Sequence, residues 1–158
     1  MPDKGFVTEV KMYEVVLFLH LLGATIWTGG HLVLACTILP FALRNNDIEF
    51  ISRFERSYEK IGIPALLLQI FSGIYLAFNL LPDISQWFNF SNPVSRLISY
   101  KLIILGCTFL LAIDARLRVI PNLSTQNLRA LAYHIIPVTL LSVLFVYVGI
   151  SFRTGWLY

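Results

Sequence analysis

Four apolar stretches, each long enough to cross a bilayer as a helix, constrain this chain more than any other feature. A hydrocarbon core about 30 Å thick needs about 20 residues of α-helix. The stretches cover about residues 13–43, 58–81, 94–120 and 124–152. Hydrophobic residues make up 57% of the chain and charged residues 13%, a balance outside the usual range of soluble domains. Because the runs are also too long for barrel strands, the sequence predicts an all-α integral membrane protein.

The order of these spans predicts how they pack. Short connections favour neighbouring helices of opposite direction, and hence one antiparallel, up-down bundle of four transmembrane helices over residues 1–158. In that bundle the first helix neighbours the second and the fourth. Lysine and arginine are more frequent in the first and third connections, so the positive-inside rule places both termini outside. The first dozen residues predict a short polar tail.

Charge indicates the kind of partner. The net charge of +3 comes from basic residues that are spread over the loops and do not form one patch. We therefore expect no nucleic-acid partner. The lipid bilayer is the partner that the composition predicts.

Two of the three histidines lie in the first span, in the stretch HLLGATIWTGGHLVLACTILP. On an α-helix His20 and His31 are about 20° apart around the axis and roughly 16 Å apart along it. Both rings therefore point the same way, but their separation prevents joint ligation of one ion. Trp27 and Gly30 fall close to the same face, where the glycine leaves room for a bulky group. Each histidine is expected to need a partner from another helix.

Depth predicts that partner for His31. Counted back from a helix end near Arg44, His31 lies roughly 19 Å from the inner side. A capping signal at Ser124 starts the fourth helix and places His134 roughly 15 Å from the same side. Because the first and fourth helices are neighbours, the two imidazoles are expected to face each other at one level. His20 has no other histidine at its depth.

Two facing imidazoles in an apolar slot are what a bis-histidine b-type haem requires. The sequence therefore predicts haem b between the first and fourth helices, with His31 and His134 as axial ligands. Trp27 and Gly30 are expected to shape the slot. Ionisable side chains at membrane depth are costly, and they indicate a function by default.

Other basic side chains have less specific predicted roles. Four arginines are expected to neutralise the haem propionates at the inner end, with simple loop charge as the alternative, namely Arg44, Arg116, Arg118 and Arg129. His20 is a further candidate ligand for the metal or a residue that supports the ligands. It could also belong to a separate outer site with Lys101, Tyr100 or Asn79.

Copper is the alternative cofactor. Cu(II) commonly takes three or four nitrogen and oxygen donors, whereas only two histidines are expected at one level. Cys36 and Cys107 lie in the middle of apolar helices without CxxC spacing. We expect both to be buried small hydrophobic residues. A third hypothesis is a structural or assembly factor whose polar residues only join helices, as Gln69, Ser72 and Gly73 are expected to do on one face of the second span.

The residues resemble a known family over nearly the whole chain. The segments that carry the likeness look like CopD-type copper-resistance membrane proteins, and the resemblance implies a compact four-helix membrane protein with inward-facing histidines. They are HLLGATIWTGGHLVLACTILP, FERSYEKIGIPALLLQIFSGIYLA, NPVSRLISYKLIIL, LAIDARLRVIPNL and NLRALAYHIIPVTLLSVLFVYVGISFRTG.

A more distant resemblance is to HemJ-type protoporphyrinogen oxidases, and it implies haem b. It rests on His20, seven residues before Trp27, and on Lys101 at the start of the third span. Those enzymes have a comparable spacing and a lysine. This chain has Asp114 near the place where they have a late histidine in the third span.

The resulting expectation is a b-type haem protein of a bacterial-type inner (plasma) membrane that works in electron transfer or redox chemistry. Copper binding or transport of the CopD type is the first alternative. A haem-dependent oxidoreductase, in the form of a HemJ-like porphyrinogen oxidase, is the second. The electron donor and acceptor and the formation of homo-oligomers are open at this point.

Overall fold

The computed structural model describes residues 4–122, 124 and 128–158, and these residues form helices and no strand. Four helical stretches within the described ranges are long and apolar enough to cross a membrane. The predicted all-helical class is therefore confirmed for the described part of the chain. The α-helices are α1 (Lys4–Val33), α2 (Leu39–Asn45), α3 (Ile48–Leu80), α4 (Pro93–Asp114) and α5 (Leu128–Thr154), with π-helical turns at Leu34–Ile38 and Ala115–Val119 and 3₁₀ turns at Ile84–Gln86 and Ile120–Asn122.

Local capping explains the tight connection between α2 and α3. Asn46 ends α2 in the left-handed region, with φ 52°, which asparagine adopts more readily than most residues. The Asp47 side chain then accepts a hydrogen bond from the Phe50 N–H at 2.9 Å. Two residues therefore suffice to reverse the chain.

The helix bounds differ from the predicted spans at the starts of α1 and α3. α1 begins at Lys4, so the polar tail predicted for the first dozen residues is wrong from that residue onward. α3 begins at Ile48, ten residues before the predicted span, because its charged first turns continue the helix without a break. The predicted start of the fourth helix falls on residues 124–127, of which 125–127 lie outside the described residues.

Helix packing follows the expected neighbours of α1. It packs against α3 and α5, and α5 packs against α4. We call the end of the bundle with residues 81–92 the upper end and the end with Asn46 and Asp47 the lower end. One apolar cluster fills the lower end and another lies between α4 and α5 in the upper half. Their buried members are Leu34, Leu39, Ala42, Ile51, Leu128, Leu131 and Ile135 in the lower cluster and Leu97, Ile104 and Val148 in the upper cluster.

The outside of the bundle is apolar. Phe71 and Leu110 are 69% and 70% exposed. A water-soluble chain rarely leaves so many large apolar side chains uncovered, whereas lipid tails would cover them. Cys36 and Cys107 are also exposed. Their predicted burial is wrong, because both lie on helix faces that no other helix covers.

Contacts between helices fix the register of α1. Thr28 donates to the Ser142 carbonyl at 3.3 Å, and Thr139 donates to the His31 carbonyl at 3.2 Å. Later residues of α1 therefore lie beside earlier residues of α5. Contacts with α3 follow the same order, because Gln69 donates to the His20 carbonyl at 3.0 Å whereas Tyr58 lies beside His31.

Candidate functional site

His31 is buried and held in one orientation. Its side chain is on the lower half of α1 with 8% of the residue exposed. Nδ1 lies 2.8 Å from the Trp27 carbonyl oxygen, one turn earlier. A carbonyl only accepts hydrogen bonds, so Nδ1 carries the hydrogen and Nε2 keeps its lone pair. This tautomer presents Nε2 as a ligand or as a hydrogen-bond acceptor.

Tyr58 of α3 completes the support of His31. Its hydroxyl donates to the Trp27 carbonyl at 2.9 Å and lies 3.3 Å from His31 Nδ1. A Cβ on Gly30 would lie 2.0 Å from the Tyr58 ring, and one on Gly62 would lie 3.0 Å from it. The space beside Gly30 therefore holds the tyrosine ring. The sequence analysis did not identify Tyr58, although its spacing of four residues from Phe54 puts both aromatic side chains on one face of α3.

Trp27 has an unsatisfied donor. Its ring centroid lies 4.3 Å from that of His31, and 9% of the residue is exposed. Within the described part of the chain, its Nε1 is the buried side-chain nitrogen without a hydrogen-bond partner. A buried N–H without a partner costs free energy and points to an acceptor that protein groups do not supply.

His20 is anchored in a similar way in the upper half. Its Nδ1 lies 2.9 Å from Ser72 Oγ, and the Ser72 hydroxyl donates its hydrogen to the Leu68 carbonyl. Nδ1 is therefore the donor, and Nε2 again keeps its lone pair. Gly73 makes room for the ring, since a Cβ there would lie 3.2 Å from His20 Cε1. The predicted polar face of the second span thus does join α3 to α1.

His134 is bound to another helix. Its Nδ1 lies 3.0 Å from the Ala130 carbonyl, and its Nε2 lies 2.7 Å from Asp114 Oδ2 on α4. Both ring nitrogens of His134 therefore face an oxygen that accepts hydrogen bonds. Arg118 donates to the other carboxylate oxygen at 3.0 Å. The nitrogen that would bind iron is therefore already engaged.

His31 and His134 also lie at different depths. The Thr28–Ser142 and Thr139–His31 hydrogen bonds set the register of α1 and α5. His134 lies five residues before Thr139 on α5, and this places it roughly 7 Å below the level of His31 along the axis. The depth match expected from helix ends is not found. His31 faces Trp27 and Tyr58, whereas His134 faces α4.

The lower arginines are on the surface. Arg116 pairs with Glu59, and Arg118 pairs with Asp114 while its side chain is 80% exposed. Arg129 is exposed on the first turn of α5. All three therefore lie on the surface of helical segments at the lower end.

Metal donors do not cluster. Among the residues that the structure describes, no three His, Cys, Asp or Glu side chains come together in a way that could hold a metal ion. A haem brings four donors of its own and needs only one or two from the protein. The dispersed histidines are compatible with that smaller requirement.

The Asp114–His134 pair gives a first prediction. Asp114→Asn removes the charge that holds His134 and should lower the melting temperature in detergent by a few degrees. Glu49→Gln is the matched control, because Glu49 pairs with Arg53 in the same i,i+4 geometry as Asp114 with Arg118, and both partners are more than 70% exposed. The control should leave the melting temperature unchanged. Equal melting temperatures for the two variants would show that the partly buried contact between Asp114 and His134 contributes no more than a surface ion pair.

No protein-family model, curated protein or solved structure matches this chain. The fold and site define its class as an all-helical protein with four membrane-length apolar helices and histidines at the helix contacts. The likeness to CopD-type and HemJ-type proteins rests on the residues quoted above.

Proposed function

We propose that this chain is a multi-pass protein of a bacterial-type inner membrane that binds haem b and takes part in electron transfer or redox chemistry. In this proposal the helices form an up-down bundle, and both termini lie outside. The antiparallel order of the α1–α3 and α1–α5 contacts and the apolar outer surface support this arrangement. The observation that carries the haem proposal is the fixed His31 ring with its free Nε2, beside the unsatisfied Trp27 N–H.

The orientation of the His31 ring fits what an axial haem ligand requires. An axial histidine must present a neutral ring nitrogen, and a hydrogen bond from the other nitrogen fixes its tautomer. The Trp27 carbonyl provides that bond, and Tyr58 bonds to the same carbonyl. The Thr139 hydroxyl of α5, which donates to the Ile135 carbonyl at 2.7 Å, also lies 3.2 Å from the His31 carbonyl oxygen. These contacts limit rotation of the imidazole before any group binds.

One axial ligand is better supported than two. His134, the predicted second ligand, would have to release Asp114 and cross a difference in depth of roughly 7 Å. We therefore assign His31 as the protein ligand of the haem iron and His134 as a structural partner of Asp114. Bound haem would supply one-electron chemistry, while Trp27, His31 and Tyr58 would orient it and keep water away.

An absorption spectrum of the detergent-purified protein, as isolated and after reduction, tests the proposal. We expect a Soret band with iron equimolar to the chain and a high-spin reduced spectrum, because only one histidine ligates. A low-spin spectrum that His134→Ala converts to high-spin would restore the bis-histidine arrangement. Colourless protein from haem-replete cells would refute haem binding. Equimolar copper without iron would favour the copper alternative.

A further inference from the structure

One face of α3 points away from the helices that pack against it. α3 packs against α1, α2 and the π turn at Leu34–Ile38. On the uncovered side, Leu67 and Phe71 are 48% and 69% exposed. They follow Lys60 by seven and eleven residues, so both lie within about 20° of the direction of Lys60 around the helix axis. An exposed apolar face therefore continues downward into a lysine.

The lower part of this face is basic. Arg53, Arg56 and Lys60 lie within an arc of about 60° around α3, and all three are exposed. Arg53 pairs with Glu49 at 2.6 Å. Arg56 and Lys60 are four residues apart and therefore neighbours on the helix surface, where like charges repel each other. An anion bound between these two side chains would remove that repulsion.

The carboxylates of this part of α3 leave Arg56 and Lys60 unpaired. Glu55 and Glu59 lie about 140° and 100° around the axis from Lys60. Glu59 is three residues after Arg56 but pairs with Arg116. Among the described residues, Arg56 and Lys60 take part in no ion pair. Their two positive charges are available to a partner outside the chain.

The depth of Lys60 indicates which partner that is. Residues 61–80 of α3 contain no charged residue, and about 20 helical residues cross a hydrocarbon core of about 30 Å. Lys60 is then at the lower boundary of the hydrocarbon, and Arg56 lies one turn further out. Phospholipid headgroups occupy that level.

We propose that Arg56 and Lys60 bind the phosphate of an anionic phospholipid of the inner leaflet, with an acyl chain of that lipid along Leu67 and Phe71. The inference rests on one part of the proposed function, namely a membrane protein whose lower end faces inside, and it is independent of haem. A guanidinium binds phosphate through two parallel hydrogen bonds, and an ammonium adds a point charge. The inner leaflet carries negative charge, which is complementary to this face.

Native mass spectrometry of the delipidated, detergent-purified protein with single added lipids tests the inference. Dioleoyl phosphatidylglycerol and dioleoyl phosphatidylcholine have the same acyl chains, but only the first has a net negative charge. Each basic residue near an anionic lipid contributes about fivefold in affinity, so the wild type should prefer phosphatidylglycerol about 25-fold. Arg56→Gln and Lys60→Gln should each weaken binding of phosphatidylglycerol about fivefold and leave binding of phosphatidylcholine within about twofold.

Arg129→Gln is the matched control, because it removes an exposed arginine at the same end of the bundle but on α5. It should leave both affinities within about twofold. Equal weakening by Arg129→Gln and Lys60→Gln would show a diffuse attraction to the whole lower end, and would overturn the inference. Equal weakening of both lipids by Lys60→Gln, or a wild type without preference between them, would overturn it as well.

Failure of the proposed function gives different results. A wild type that stays monodisperse without detergent and binds neither lipid would refute the membrane location, and this inference with it. The Soret absorbance of the same samples tests haem binding separately, and its absence would leave the lipid preference as expected.

Discussion

Replacing Gly30 by alanine should destabilise the protein by about 3 kcal/mol, the largest effect on stability that we expect from any single methyl group. The added Cβ would lie 2.0 Å from the Tyr58 ring, far inside contact distance. Tyr58 cannot move aside without losing its hydrogen bond to the Trp27 carbonyl, which also binds His31. Thermal unfolding in detergent measures the change.

Gly29→Ala is the matched control. It changes the neighbouring residue in the same helix, but no atom lies within 4 Å of the added Cβ. Alanine also has the higher helix propensity, so this variant should be as stable as the wild type or slightly more stable. Tyr58→Ala in the Gly30→Ala background should recover part of the loss. Equal stability of the Gly29→Ala and Gly30→Ala variants would contradict the close packing of Tyr58 on Gly30.

Replacing His31 by alanine should lower the haem affinity by at least about a hundredfold. Loss of a residue that only orients a metal ligand costs about 10- to 100-fold, and His31 is assigned as the ligand itself. The readout is the Soret absorbance per chain after purification. Because the substitution leaves a space lined by Trp27 and Tyr58, added imidazole should restore part of the absorbance.

His134→Ala is the informative comparison for that variant. It removes a histidine of the same bundle, but one whose Nε2 is bonded to Asp114. We expect it to keep the Soret band and to lose some thermal stability. Loss of the band in His134→Ala and its retention in His31→Ala would reverse the assignment of the ligand.

Hydropathy and helix geometry predicted the fold class and the neighbours of α1. The length and composition of each apolar span are local properties, and so are the turn residues near Asn46 and Asp47. They can therefore be predicted from the sequence alone. The shared direction of His20 and His31 is also local, since both lie on one helix, and both do face inter-helix contacts.

The relation between His31 and His134 could not be predicted in the same way. Depth was counted from helix ends, which are uncertain by two to four residues. Register depends on the contacts of Thr28 and Thr139 with α5, which only the tertiary structure shows. The pairing of His134 with Asp114 depends on the rotation of two helices about their axes. A single sequence carries little information on that rotation.

A π-helical turn interrupts two of the long helices. Side chains before and after such a turn point in different directions around the helix axis. A π turn closes its hydrogen bonds over five residues where an α turn uses four, so the faces before and after it do not continue each other. In α1 and α2 this change falls at Leu34–Ile38, directly after His31. The histidine-bearing face therefore ends there, and the apolar face that packs at the lower end begins in a new phase. We therefore expect substitutions in the lower cluster to change the packing at the lower end of the bundle. They should not change the direction in which the His20 and His31 side chains point.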